Sequence, residues 1–118
     1  LVICLGNQIL ALAGGAKTHK LKFGHRGQNK SCVDLVSDQT IITSQNHGYG
    51  IESDSLDKTD FEIWFENIDD HTVEGIRHME KPVIAVQFHP EASPGPDDCL
   101  YVFDKFKDLV KTHGIVAP

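Results

Sequence analysis

A cysteine near the start of the sequence lies where a strand and a helix are predicted to meet. Residues 1–4 are apolar, and residues 8–13 have a composition that favours a helix ended by the glycine at position 14. Unpaired N–H groups and the helix dipole at a helix N-terminus favour a thiolate. Cys4 is therefore a candidate nucleophile on a sharp elbow, and the backbone N–H of Leu5 would stabilise an oxyanion. The alternative, a buried structural cysteine, stays open on this segment alone.

A histidine and a glutamate two residues apart follow a second predicted strand. Residues 83–88 are apolar except for one glutamine, which suits a strand buried on both faces. Active sites of α/β sheets lie beyond such carboxyl ends. Pro90 keeps the segment extended, so His89 and Glu91 share a face, and a carboxylate there can orient an imidazole. An isolated pair of this kind is more often a surface feature, but a cysteine elbow on another strand end favours a catalytic triad.

A third polar segment, residues 45–49, is dense in amide donors and acceptors and follows a β-branched run at residues 40–43. It is predicted to be a glycine-bearing loop, and such a loop could recognise an amino-acid substrate. An ordinary turn is the alternative, because turns use Asn and Gly for backbone reasons.

A metal site is the rival use of the seven histidines and three cysteines. No two histidines have the close spacing that places them on one helix face, and no pair of cysteines is separated by two residues. No metal ligand is therefore predicted. Cys32 and Cys99 are interpreted as core or surface thiols.

The remaining elements must position these residues. Short strands are predicted at residues 32–36 and 40–45, with a polar glycine loop at residues 24–30. Alternation of period two over residues 61–66, followed by a turn and residues 73–78, predicts a hairpin. Apolar residues at helical spacing predict a last helix, capped by Asp97 or Asp98 and ending near Gly114.

Strands and helices in this order predict an α/β fold whose mixed, mostly parallel sheet is flanked by helices. The 118 residues are enough for one domain, and 40% hydrophobic with 24% charged residues is typical of a soluble globular chain. The formal charge of −6 disfavours nucleic acid as a partner. No apolar run approaches the roughly 20 residues of a membrane span. Scattered cysteines without a secretory leader predict a reducing, cytoplasmic location.

Four motifs, taken together, resemble the class I (triad) glutamine amidotransferase domain, in particular its carbamoyl-phosphate synthetase small-chain branch. The resemblance covers about residues 1–112. The cysteine elbow and the His-Pro-Glu are shared by all triad amidotransferases, whereas the other motifs are specific to the carbamoyl-phosphate branch. The motifs are Ile3-Cys4-Leu5-Gly6-Asn7-Gln8, Lys22-Phe23-Gly24-His25-Arg26-Gly27, Gln45-Asn46-His47-Gly48-Tyr49 and Gln87-Phe88-His89-Pro90-Glu91-Ala92-Ser93-Pro94-Gly95-Pro96.

The resemblance implies a flavodoxin-like fold and the release of ammonia from L-glutamine. Cys4 would form a thioester, His89 would act as acid and base, and Glu91 would orient His89. It implies a substrate site built from Leu5, Gln8, Asn46, Gly48 and Tyr49. The partner would be a large synthetase chain that holds ATP and magnesium, so no cofactor is expected in this domain. The product would serve pyrimidine or arginine biosynthesis.

Two departures from the family pattern lie beside the elbow. Val2 stands where the family usually has Gly, and should crowd the elbow. Asn7 stands where His is commoner, and is expected to face away from the substrate. The family's glycine-rich segment, which supplies a second oxyanion donor, is not in this sequence. We therefore expect residues 1–118 to be the C-terminal part of an N-terminally truncated domain that hydrolyses glutamine very slowly or not at all.

Three other functions remain compatible with these residues. The domain could be a catalytically idle module that binds and regulates a synthetase. It could be the amidotransferase of another biosynthetic pathway, or another cysteine hydrolase such as a γ-glutamyl peptidase. Selective labelling of Cys4 by a glutamine analogue separates an active enzyme from an idle module.

Overall fold

The structure is a computed structural model that describes residues 1–89 and 101–112. Two helices and six strands make up most of it, with one short 3₁₀ helix between the third and fourth strands. In chain order they are β1 (Val2–Ile3), α1 (Leu5–Ala13), β2 (Thr18–Asp34), β3 (Gln39–Ile51), the 3₁₀ helix (Ser53–Lys58), β4 (Phe61–Asn67), β5 (Val73–His78), β6 (Ile84–Val86) and α2 (Tyr101–Thr112).

The six strands form one mixed sheet in the order β1-β6-β5-β3-β2-β4, and β4 also pairs with β5, so the sheet curls back on itself. The predicted mixed sheet with flanking helices is confirmed. Among the described strands, however, only β1 and β6 pair in parallel, and the expected parallel majority is not found. Hairpins join β2 to β3 and β4 to β5, and a hairpin can pair its strands only in the antiparallel sense.

The longest element is the β2–β3 hairpin, whose pairing extends from Thr18 opposite Ile51 to Asp34 opposite Gln39. The predicted loops at residues 24–30 and 45–49 are therefore wrong, because both segments lie within these strands. Glycine and polar residues signalled loops, but the long antiparallel partner supplies their backbone hydrogen bonds. Two register shifts, typical of β-bulges, lie in the glycine-bearing part of β2.

The β4–β5 hairpin and both terminal helices are confirmed. The turn of the hairpin is held by Asn67, whose Oδ1 accepts hydrogen bonds from the backbone N–H groups of Asp69 (2.9 Å) and Asp70 (3.3 Å). Helix α1 ends at Gly14, as predicted. The capping role predicted for residues 97 and 98 and the helix end near residue 114 lie outside the described residues.

Two apolar clusters cover the two faces of the sheet. Ile84 and Val86 of β6 point into one cluster, which includes Phe65 and Phe88 and is partly covered by α2. Ala85 points into the other cluster, which includes residues of α1. Strand β6 is thus buried on both faces, as its apolar sequence predicts. No described helix is long and apolar enough to cross a membrane.

Candidate active site

Cys4 occupies a sharp bend between β1 and α1, so the predicted strand, turn and helix are confirmed here. Its φ of 56° and ψ of −114° lie in a region that non-glycine residues rarely adopt, at a cost of about 1–3 kcal/mol. Two hydrogen bonds hold this backbone: Cys4 N–H donates to Val86 O (2.8 Å), and Cys4 O accepts from Asn7 N–H (3.0 Å). The strained cysteine is the N-cap of α1, where the first N–H groups of a helix have no intrahelical partner.

The segment that carries His89 leaves the sheet at the same edge as Cys4. Strands β1 and β6 are parallel and Ile3 is paired with Val86, so Cys4 and residues 87–89 follow matched positions. His89 is partly buried, and its backbone N–H donates to Ser44 O of β3 (3.1 Å). Glu91 lies outside the described residues, so its role as the group that orients His89 stays a prediction.

Gln8 connects α1 with the predicted substrate segment of β3. Its side chain is nearly buried, and Nε2 donates to Tyr49 O (3.0 Å) and to Gln87 Oε1 (3.1 Å). Gly48, adjacent to Tyr49, is partly exposed, and the Tyr49 side chain is 52% exposed. Asn46 is paired with Arg26 through the backbone of β2, and its side chain lies outside the described part of the structure. The structure therefore brings Gln8 and the Gly48–Tyr49 backbone to the elbow.

Two residues beside the elbow were not given a role by sequence reasoning. Asn7 is fully buried against Gln87, with Nδ2 donating to Gln87 Oε1 (3.2 Å). Its Oδ1 is buried without a hydrogen-bond partner among the described residues. Gln87 is the one polar residue in the apolar run of residues 83–88. This position could have indicated a structural role, because a buried amide needs hydrogen-bond partners.

A buried polar cluster supports the segment of β3 next to the elbow. His47 Nδ1 lies 2.8 Å from Tyr49 O, and Nε2 lies 2.8 Å from Gln45 Oε1 and 3.7 Å from Glu74 Oε1. The buried Cys32 thiol donates to Glu74 Oε2 (3.4 Å), which confirms its interpretation as a core residue. Both ring nitrogens of His47 thus face oxygen atoms, and the connected side chains hold this part of β3 in one arrangement.

Other parts of the described structure give less support for a site. An open cavity of about 360 Å³ lies between α2 and the turn from β5 to β6, and none of the predicted site residues lines it. Within residues 1–89 and 101–112, no group of three or more His, Cys, Asp or Glu side chains is placed to hold a metal ion.

Residues 1–109 match the family described as "Glutamine amidotransferase class-I". The chain belongs to this family. Within it, the carbamoyl phosphate synthase small chain of Pyrococcus furiosus is 55% identical over 109 residues, covering 92% of this chain and 29% of that protein. The arginine-specific small chain of Halalkalibacterium halodurans is 51% identical over 112 residues, covering 95% of this chain and 31% of that protein. The chain thus spans about three tenths of the length of these relatives.

Solved structures of amidotransferases share the fold. A GMP synthase component from Thermoplasma acidophilum superposes with a TM-score of 0.76 at 27% identity, covering 95% of this chain and 57% of that one. A glutamine amidotransferase of Thermotoga maritima gives a TM-score of 0.62 at 21% identity, covering 97% and 49%, and shows the fold alone. The predicted class I amidotransferase fold is therefore confirmed.

Proposed function

We propose that this chain performs the glutaminase half-reaction of a glutamine-hydrolysing carbamoyl-phosphate synthetase. The observation that carries the proposal is the strained backbone of Cys4 at the N-terminus of α1, hydrogen-bonded to the strand that leads into His89. A strained cysteine that is presented by a strand–turn–helix matches the geometry of nucleophile elbows. The identity to small chains of carbamoyl phosphate synthase supports this branch over the amidotransferases of other pathways.

In the first half of the reaction, the Cys4 thiolate attacks the side-chain amide carbon of L-glutamine. The Leu5 N–H stabilises the oxyanion that forms. The carbon–nitrogen bond then breaks as His89 gives a proton to the leaving nitrogen, and ammonia departs. A γ-glutamyl thioester on Cys4 remains.

In the second half, His89 takes a proton from water, which attacks the thioester carbonyl. The carbon–sulfur bond breaks, glutamate leaves, and the Cys4 thiolate is restored. Glu91 orients the His89 ring and stabilises its protonated form.

Gln8, Asn46, Gly48 and Tyr49 hold the glutamine substrate. The hydrogen bond from Gln8 to Tyr49 O supports this role, because it ties the helix of the nucleophile to the strand that carries the other residues. A substrate bound along this strand lies beside the thiol, and such positioning contributes strongly to catalysis.

Ammonia passes to a large synthetase chain, which holds ATP and magnesium and makes carbamoyl phosphate for pyrimidine or arginine biosynthesis in the cytoplasm. This domain needs no cofactor for its part, because a cysteine, an imidazole and backbone N–H groups supply the chemistry. The names of the relatives support the partner, since each is the small chain of a synthase.

Two variants of the small chain, tested in the assembled synthetase, separate this proposal from an idle binding module. Cys4→Ser and His89→Asn should each abolish glutamine-dependent synthesis and leave ammonia-dependent synthesis close to that of the parent. Glu91→Gln should have a milder effect, because it acts through His89. Full glutamine-dependent activity in Cys4→Ser would refute the proposal, and equal loss of both activities would point to a folding defect instead of a catalytic role.

A further inference from the structure

The side chain of Gln87 lies beside the nucleophile elbow, between the thiol of Cys4 and the side-chain amides of Asn7 and Gln8. It is fully buried on the carboxyl side of β6, and it contacts three residues at once: Asn7, Gln8 and Cys4. The glutaminase mechanism gives this buried amide no task. A fully buried amide keeps one orientation, so its oxygen and its nitrogen can be assigned from the groups that they contact.

The orientation follows from Tyr49. A backbone carbonyl can only accept, so the atom of Gln8 that lies 3.0 Å from Tyr49 O is the nitrogen Nε2. The same Nε2 lies 3.1 Å from the Gln87 side chain, which must present its oxygen there. Asn7 Nδ2 donates to that oxygen as well (3.2 Å). The other end of the amide, Nε2 of Gln87, is then directed towards Cys4 Sγ at 3.9 Å.

Backbone hydrogen bonds place Gln87 next to Cys4. Gln87 N–H donates to Glu74 O of β5 (2.7 Å), and Cys4 N–H donates to Val86 O, next to Gln87 (2.8 Å). These bonds hold the backbones of Cys4 and Gln87 next to each other. The side chain of Gln87 is held by its own hydrogen bonds to Asn7 and Gln8.

We infer that Gln87 is a positioning residue that holds Cys4 Sγ in place through the Nε2–H group. A hydrogen bond is stronger when its acceptor is ionised, so this donor would contact the sulfur most strongly in the form that attacks the substrate. The inference deepens the proposed function and rests on it, because it concerns the same nucleophile. It also adds a link from the substrate strand to the sulfur, through Tyr49 O, Gln8 and Gln87.

Gln87→Glu tests the inference, since it keeps the shape and the accepting oxygen but replaces the donor by a second oxygen. A negative charge beside the sulfur disfavours the thiolate. We expect the rate at which iodoacetamide alkylates Cys4 near neutral pH to fall roughly tenfold or more. The rate is measured by mass spectrometry of the Cys4 peptide. Iodoacetamide needs no glutamine site, so an unchanged rate would overturn the inference and leave the proposed function standing.

Asn67→Asp is the matched control. It makes the same amide-to-acid change at a buried residue, but the Asn67 side chain accepts from the turn between β4 and β5 and has no described bond to the elbow. We expect its Cys4 to be alkylated at the rate of the parent chain. A tenfold fall in this control too would overturn the inference, because a general effect of added charge would then explain the result.

A second measurement needs no change at Gln87 and covers the case in which Gln87→Glu does not fold. In the ¹⁵N-labelled chain, Cys4→Ala should shift the side-chain amide resonances of Gln87 and leave those of Asn67 unchanged. Resonances of Gln87 that stay in place when the sulfur is removed would show that its amide does not face Cys4.

Discussion

Val2 Cγ1 occupies the space in which residue 6 would carry a side chain, because a Cβ added to Gly6 would lie 2.5 Å from it. Non-bonded carbon atoms do not approach each other this closely, and the β-branched Val2 side chain has few rotamers with which to move away. Crowding of the elbow by Val2, expected from the sequence, is therefore accommodated at Gly6. The bend that presents Cys4 depends on these two residues as a pair.

Gly6→Ala should lower the free energy of unfolding by about 1–3 kcal/mol, the usual cost of forcing extra atoms into a packed site. In the Val2→Ala background the same change should be neutral or stabilising by up to about 1 kcal/mol, since alanine is the better helix former. Urea denaturation of the four chains of this cycle gives both values. A Gly6→Ala chain as stable as the parent would contradict the predicted clash.

Gln8→Leu should lower the free energy of unfolding by about 1–3 kcal/mol, because it removes two buried hydrogen bonds, to Tyr49 O and to Gln87 Oε1, each of which contributes about 0.5–1.5 kcal/mol. Gln39→Leu is the matched control, since Gln39 is exposed at the start of β3 and the change there should stay within about 0.5 kcal/mol. Denaturation midpoints compare the two. Equal effects would show that the buried hydrogen bonds of Gln8 contribute nothing specific.

Glu74→Leu should lower the free energy of unfolding by about 1–3 kcal/mol, because it removes the buried carboxylate that accepts from the Cys32 thiol and lies 3.7 Å from His47 Nε2. Glu66 offers the matched control, since it forms a similar pair with His71, whose side chain is 77% exposed. Glu66→Leu should cost less than about 1 kcal/mol, as exposed ion pairs do. The prediction fails if thermal unfolding shows similar losses for the two variants.

The elements with strong local signals were the most predictable part of the fold. The strand, turn and helix around Cys4, the buried strand β6 and the hairpin of residues 61–78 are marked by local signals: a glycine after a helix, a continuous apolar run and period-two alternation. Local signals failed for residues 24–30, where glycines and polar residues predicted a loop. Pairing with β3 decides that segment, and pairing partners are not visible in local composition.

The sequence indicated candidate site residues, but it did not indicate the residues that support them. Cys4 and Gln8 were chosen for residue types and motif, and the structure places Gln8 next to Tyr49 as the predicted substrate site requires. Gln87 and Glu74 were missed because each is a single polar residue in or directly after a strand, and only the fold shows what it contacts. Such supporting residues do not form a motif with a recognisable spacing in the sequence.

Labelling with a glutamine-like chloroketone tests the central claim, that Cys4 is the nucleophile of a glutamine site, most directly. Alkylation by such a reagent is irreversible, so it accumulates even where turnover is slow. The account predicts that Cys4 is alkylated, that Cys32 and Cys99 are not, and that L-glutamine slows the alkylation while D-glutamine does not. Labelling of Cys4 that L-glutamine fails to slow, or faster labelling of Cys32 or Cys99, would contradict it.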